Sequence, residues 1–277
     1  MVRFLAVAGL LCLPLRGAAG PPAIEDALQH LYDFDFPAAH RILDQYIAAH
    51  PQEPLPYAFR ASAYLFSELD RLGILESEFL IDDDRIVEKK KASPDPAIRT
   101  QFIKAQAEAE SRGEAALRAN PNDLQALFAM CVAGGVATDY MALVEKRQIA
   151  SLSPARKSNN YAQRVLKLDP KFYDAYLTAG FSEYMVGSLP FFIKWFVHFD
   201  NVTGSKERGK RNLELVAREG RYLKPFAKIL LGIIDLREKK PQEAQRLLVD
   251  LAHEYPENPL FLKELTKLNN KLGMAAN

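Results

Sequence analysis

The sequence predicts an all-α fold, built as a right-handed superhelical solenoid of antiparallel helix pairs, and three observations predict it. The stretch Pro225 to Pro259, PFAKILLGIIDLREKKPQEAQRLLVDLAHEYPENP, carries apolar and small residues at helical spacing on both sides of a short polar turn. Looser copies of that pattern recur from Pro22 onward and end at prolines, namely Pro51, Pro121, Pro170 and Pro256. No single hairpin of this size buries enough apolar surface to stand alone, so the copies must stack.

Composition agrees and narrows the function. A chain of 277 residues with 48% apolar content can build a sizeable core, and a net charge of +1 lacks the basic excess of a general nucleic-acid binder. The first residues, MVRFLAVAGLLCLPLRGAAG, set Arg3 before an apolar run from Phe4 to Leu15 and small residues at Gly17, Ala18 and Ala19. That is the layout of a signal peptide over 1–19, cleaved after Ala19, and it implies export to a bacterial periplasm or cell envelope. The run is shorter than the roughly 20 residues that span a bilayer. The lack of acidic residues before Glu25 leaves an organelle transit peptide as the alternative reading. With this segment removed Cys131 is the only thiol, so no intramolecular disulfide forms, and Cys131 reads as a small buried side chain.

Taken in order, residues 22–53 hold a helix AIEDALQHLY, a turn from Asp33 to Pro37, and a helix with Ala39 at the crossing and Leu43 and Tyr46 on the apolar side. Residues 54–123 open with Tyr57, Ala61 and Tyr64 on one face and close with Ala109 and Ala116. Pro121 follows Pro51 by 70 positions, which marks an enlarged hairpin. The run Asp82-Asp83-Asp84 followed by Lys89-Lys90-Lys91 reads as a solvated segment, because a divalent-metal loop needs alternating ligands and a turn glycine. In 124–172, Leu127, Met130 and Cys131 share a face, and Gly134-Gly135 permits close packing or a kink. Extra residues near TDYMALVEKRQIASLSPARK lengthen both helices of that hairpin. Residues 173–224 supply Tyr176 and Gly180, then Gly209, Leu213 and Val216, with a basic face of Lys206, Arg208, Lys210, Arg211, Arg218, Arg221 and Lys224. Residues 225–258 place Leu231 and Gly232 where the two helices cross and offer Ala244, Leu248 and Leu251 from the second. A capping helix over 260–272 covers the open end.

These positions resemble the tetratricopeptide (TPR) signature of about 34 residues per repeat, which Pro225 to Pro259 matches most fully. The resemblance implies a concave face lined by the first helix of each pair, with peptides or partner proteins as ligands. Groove-facing positions counted from the repeat starts include Ser62, Phe128, Asp174, Phe181 and Ile233. They are mostly apolar or acidic, so they do not form the lysine-asparagine clamp with which one TPR branch holds acidic tails. The block GSLPFFIKW followed by GSKERGKRNLE, within Tyr176 to Leu236, is similar to an inclusion-body clearance family of TPR proteins. That similarity implies association with lipid droplets or mitochondrial outer membranes.

The block from Leu189 to Phe199 holds the sole tryptophan, Trp195. Three readings stand: a core helix, an exposed partner site, or an interfacial helix beside anionic lipid with the following basic residues. Helical spacing puts Phe192, Trp195, Phe196 and Phe199 on one face, which suits core packing. Asn201-Val202-Thr203 is a glycosylation acceptor in a host that glycosylates exported chains.

Nothing in the sequence marks an enzyme. His30, His40, His50, His198 and His253 form no close ligand pair, and no nucleophile elbow, phosphate-cradling glycine loop or dinucleotide fingerprint appears. The turn from Gly204 to Gly209 could hold an anion, although helix capping explains it as well. The expectation is a non-catalytic scaffold without a cofactor, binding a protein or peptide partner through Ser62, Phe128, Asp174, Phe181 and Tyr184. Trp195, Arg208 and Arg211 are further candidate contacts. The alternative is a peripheral membrane protein that uses 189–224 against an anionic surface.

Overall fold

The computed structural model describes residues 22–77, 93–188 and 204–273, and every regular element among them is helical. The helices are α1 Pro22–Tyr32, α2 Phe36–Ala49, α3 Leu55–Arg71, α4 Pro96–Ala119 and α5 Leu124–Asp139, the last continuing into a π-helical turn, Tyr140–Val144. They continue as α6 Gln148–Leu168, α7 Ala175–Ser188, α8 Lys206–Glu219, α9 Lys224–Arg237, α10 Pro241–Glu254 and α11 Pro259–Lys271.

Local chemistry fixes many of the starts. Asp35, Asp95, Asp123, Ser205 and Asn258 each precede a helix, and their side-chain oxygens accept backbone N–H groups two or three residues on, at 2.8–3.2 Å. Such a cap contributes about 1 kcal/mol. A proline in the first turn of α2, α3, α4, α9, α10 and α11 presets the helical φ where no N–H partner is needed.

Each helix packs on the next in the chain, so the elements run as adjacent antiparallel pairs, α1–α2, α3–α4, α5–α6, α7–α8 and α9–α10, with α11 against α10. The first helices α3 and α5 also touch. Small residues sit where helices cross: Ala39, Ala61 and Ala244 are fully buried and Ala109 nearly so. At the α7–α8 crossing a Cβ on Gly209 would lie 2.5 Å from Tyr184 N and 2.6 Å from Gly180 O, so only glycine allows this approach. Gly134 is similarly pressed against Ser158. Gly232 departs from expectation: a Cβ there would meet nothing within 4 Å, so it makes no close crossing, and Ala227 and Ala244 supply the small buried surfaces instead. The extra residues of the enlarged hairpins lengthen α4 to 24 residues and α6 to 21.

Leu124–Val144 is long and apolar enough to cross a membrane by length and composition. Its Leu127, Phe128 and Cys131 are at most 1% exposed, packed among α3, α4 and α6, so in this fold the stretch serves as a core helix.

The first pair also meets the last. The Asn258 amide donates to Tyr32 O at 2.6 Å in a buried bond, and the Tyr32 ring lies 5.4 Å from that of Tyr255. Glu25 pairs with Arg221, and Glu76 pairs with Lys263 and Lys267 at 2.8 and 3.1 Å. One core therefore runs from Ile24 and Leu43 through Phe59 and Phe128 to Leu251 and Phe261, with a second centred on Leu177, Leu213, Val216 and Leu231.

Candidate binding surface

Beside α3 and α5 the inner surface is filled by the chain itself. Tyr222, in the turn between α8 and α9, sits with its ring 5.6 Å from Phe59 and 6.0 Å from Phe128, and its carbonyl accepts the Tyr32 hydroxyl at 3.4 Å. The backbone of that turn is held by one carboxylate. Asp174 accepts the N–H groups of Arg221, Tyr222 and Leu223 at 3.0, 2.9 and 2.8 Å. These donors lie at the start of α9, where a helix leaves its first N–H groups without internal partners and favours negative charge.

Three expected partner contacts therefore lie inside the fold. Phe128 is fully buried, stacks on Tyr222 and meets Phe172 in a tilted contact. Asp174 is 4% exposed and occupied by the three N–H groups. Ser62 is buried and its hydroxyl donates to Ala58 O within its own helix. These three candidate contacts are thereby corrected: Phe128 and Asp174 are covered by Tyr222 and its turn, and Ser62 is turned into its own helix.

Four of the expected contacts gather on the α7–α8 pair. Phe181 is half-buried against the second core. Tyr184 is buried, its hydroxyl donates to Glu238 at 3.3 Å, and burial together with Glu238 pushes its phenol upward. Arg208 is exposed and bonds Glu183 at 2.8 Å, while Arg211 is exposed on the same helix. Lys210, also expected on the basic face, is instead drawn inward to Asp235 at 2.5 Å and lies 3.9 Å from Glu238. Trp195, the aromatic block and the glycosylation acceptor lie outside the described residues, as do the 1–19 segment and the Asp82 to Lys91 charge runs.

The titratable groups show where burial acts. Cys131 is buried beside the hydroxyls of Thr178 and Ser158, and burial pushes its thiol up, which suppresses the thiolate that nucleophilic or metal chemistry needs. His40 stacks on Tyr64 at 4.0 Å, and burial with nearby Arg60 lowers it to about 4. Asp139 enters the π-helical turn, and burial raises it to about 7. Among the described residues no three His, Cys, Asp or Glu side chains converge as a metal site.

Sequence reasoning missed Tyr222 because it stands in GRYLKP among basic residues, where it reads as part of a solvated face. The available signal was an aromatic residue two positions before a helix that begins with Lys224-Pro225. Arg60 was missed too, although it interrupts the apolar face of Tyr57, Ala61 and Tyr64, and a charge at such a position marks polar surface between helices. Comparison with known families and with curated proteins finds no match for this chain.

Proposed function

We propose that the chain is an exported, non-catalytic scaffold of TPR-like, right-handed superhelical form that recruits a protein partner in the cell envelope. The contact surface is the outer face of the α7–α8 pair, with Arg208, Arg211 and Phe181 meeting an acidic partner. The observation that carries this reading is a contrast. The interior face is occupied by Tyr222, whereas Arg211 and Arg218 stand exposed two turns apart on one side of α8. Charged groups exposed in this way steer encounter and set partner choice more than they add affinity.

A photo-crosslinking residue at position 207, on the exposed first turn of α8, tests it in the native host. The expected result is a discrete protein adduct that disappears in the Arg211→Glu, Arg218→Glu double variant and is absent when the crosslinker is at Val249 on α10. An adduct indifferent to the charge reversal refutes the reading. Flotation of the purified protein with anionic vesicles, salt-sensitive and lost in the same variant, favours the peripheral-membrane alternative instead.

A further inference from the structure

Along its 21 residues α6 carries Arg156, Lys157, Arg164 and Lys167 and no acidic side chain. Its other side is occupied, with Ala162 and Val165 fully buried where the helix packs on α5 and α7. At 3.6 residues per turn the four cations fall within about 100° of arc on the outer side, and all four are exposed. Ile149 lies on the same stripe at the start of the helix and is 87% exposed, and Leu168 at its end is 44% exposed. Lys157 and Lys167 make no ion pair among the described residues. Arg164 donates to Pro121 O at 2.6 Å, a carbonyl that leaves its charge uncompensated.

We propose that this face of α6 lies against an anionic lipid surface. A helix of 21 residues is about 30 Å long, so a flat layer of headgroups meets the stripe along its whole length. Near such a layer each Lys or Arg strengthens binding roughly fivefold and needs no fixed partner geometry. An acidic protein segment would meet the same charges as exposed ion pairs, which contribute little because two long side chains must be ordered in water. Ile149 decides in the same direction. Beneath the headgroups its side chain leaves water, whereas a run of carboxylates offers it no apolar cover. Four cations and one isoleucine make a reversible contact, well short of an anchor. The surface is distinct from the α7–α8 face and does not depend on the partner proposed for that face.

The test is flotation of the full chain with vesicles of phosphatidylcholine alone and of an equal mixture with phosphatidylglycerol. Binding is expected on the mixed vesicles only, and it is expected to fall as salt is added. Lys157→Gln combined with Lys167→Gln removes two factors of about five, so it should weaken binding roughly 25-fold. Ile149→Ser should weaken it roughly tenfold. All three positions are exposed, so these variants should keep the parent's urea midpoint. The Arg211→Glu, Arg218→Glu variant should float like the parent, which separates this face from the one on α8. The proposal is overturned if mixed vesicles do not bind, if phosphatidylcholine binds equally, if the double lysine variant floats like the parent, or if charge reversal on α8 alone abolishes flotation. Soluble polyglutamate that binds the parent and not the double lysine variant, without flotation on mixed vesicles, identifies an acidic protein segment and overturns the lipid assignment.

Discussion

Replacing Asp174 by alanine should unfasten the turn that fills the interior. Three backbone donors, those of Arg221, Tyr222 and Leu223, lose their only side-chain acceptor at a position that is 4% exposed. The Tyr222 donor is buried and costs about 1–3 kcal/mol when left without a partner, while the part-buried Arg221 and Leu223 donors lose about 1 kcal/mol each. The loss should therefore be roughly 3–5 kcal/mol, a large share of the roughly 5–15 kcal/mol that holds a typical domain folded. Asp174→Asn keeps one acceptor oxygen and should lose about half as much. Ser205→Ala supplies the internal scale, because it removes one ordinary cap worth about 1 kcal/mol. Equilibrium urea unfolding of the three variants measures the differences, provided the slope against denaturant is unchanged. Hydrogen exchange should show the amides of 221–223 losing protection in Asp174→Ala before the helices do. If Asp174→Ala costs no more than Ser205→Ala, the carboxylate is not the anchor of the Tyr222 turn and the account of the closed interior fails.

Three further outcomes follow from the same structure. His40 is held neutral down to about 4, whereas the unfolded chain takes up that proton near 6.5, so its contribution to stability is lost as pH falls between those values, and His40→Gln should flatten that slope. Asp139 has the opposite sign: its folded carboxyl keeps a proton up to about 7 while the unfolded one ionises near 3.8, so stability falls as pH rises through that window. Asp139→Asn should remove that fall, read from urea midpoints between pH 4 and 7. The two glycines in helices should also separate. Gly209→Ala forces α8 away from backbone atoms of α7 and should cost about 1–3 kcal/mol, whereas Gly232→Ala meets open space in a helix and should add about 0.5–1 kcal/mol to the unfolding free energy.

The legible part of this fold was local. Prolines in first turns, aspartates before helices and alanines at crossings are short-range decisions, each taken by one residue and its neighbours within a turn. Gly180 and Gly209 were legible for the same reason, as small residues at the repeat spacing. Gly232 carried the same signal and gave a different result, because spacing identifies a small residue on an apolar face and leaves open whether a second helix comes close there. The candidate contacts failed at a longer range. Counting from repeat starts puts Phe128 and Asp174 at groove positions, and the structure buries both, Phe128 within α5 and Asp174 just before α7. What periodicity could not supply was the tyrosine 48 residues after Asp174 that occupies the same space.

That occupation follows from how small differences accumulate along a stack. Each hairpin contacts its neighbours, and the turn from one to the next is set by side-chain volumes and helix lengths at every interface. The lengthened α4 and α6 change those interfaces, so the position of the last pair relative to the first belongs to no single motif. Where the ends meet, burial alone would leave the register loose, since apolar contact is non-directional. The directional groups at the junction are Asn258 bonded to Tyr32 O and Asp174 bonded to the Tyr222 turn, both enclosed, while the Glu76 ion pairs lie at the edge where solvent screens them. An end unit in an open stack has one neighbour and frays first, whereas α1 here has α2 on one side and the Tyr222 and Tyr255 turns on the other. The buried polar residues at this junction therefore fix the register of the two ends, and the Tyr222 ring fills the space between Phe59 and Phe128.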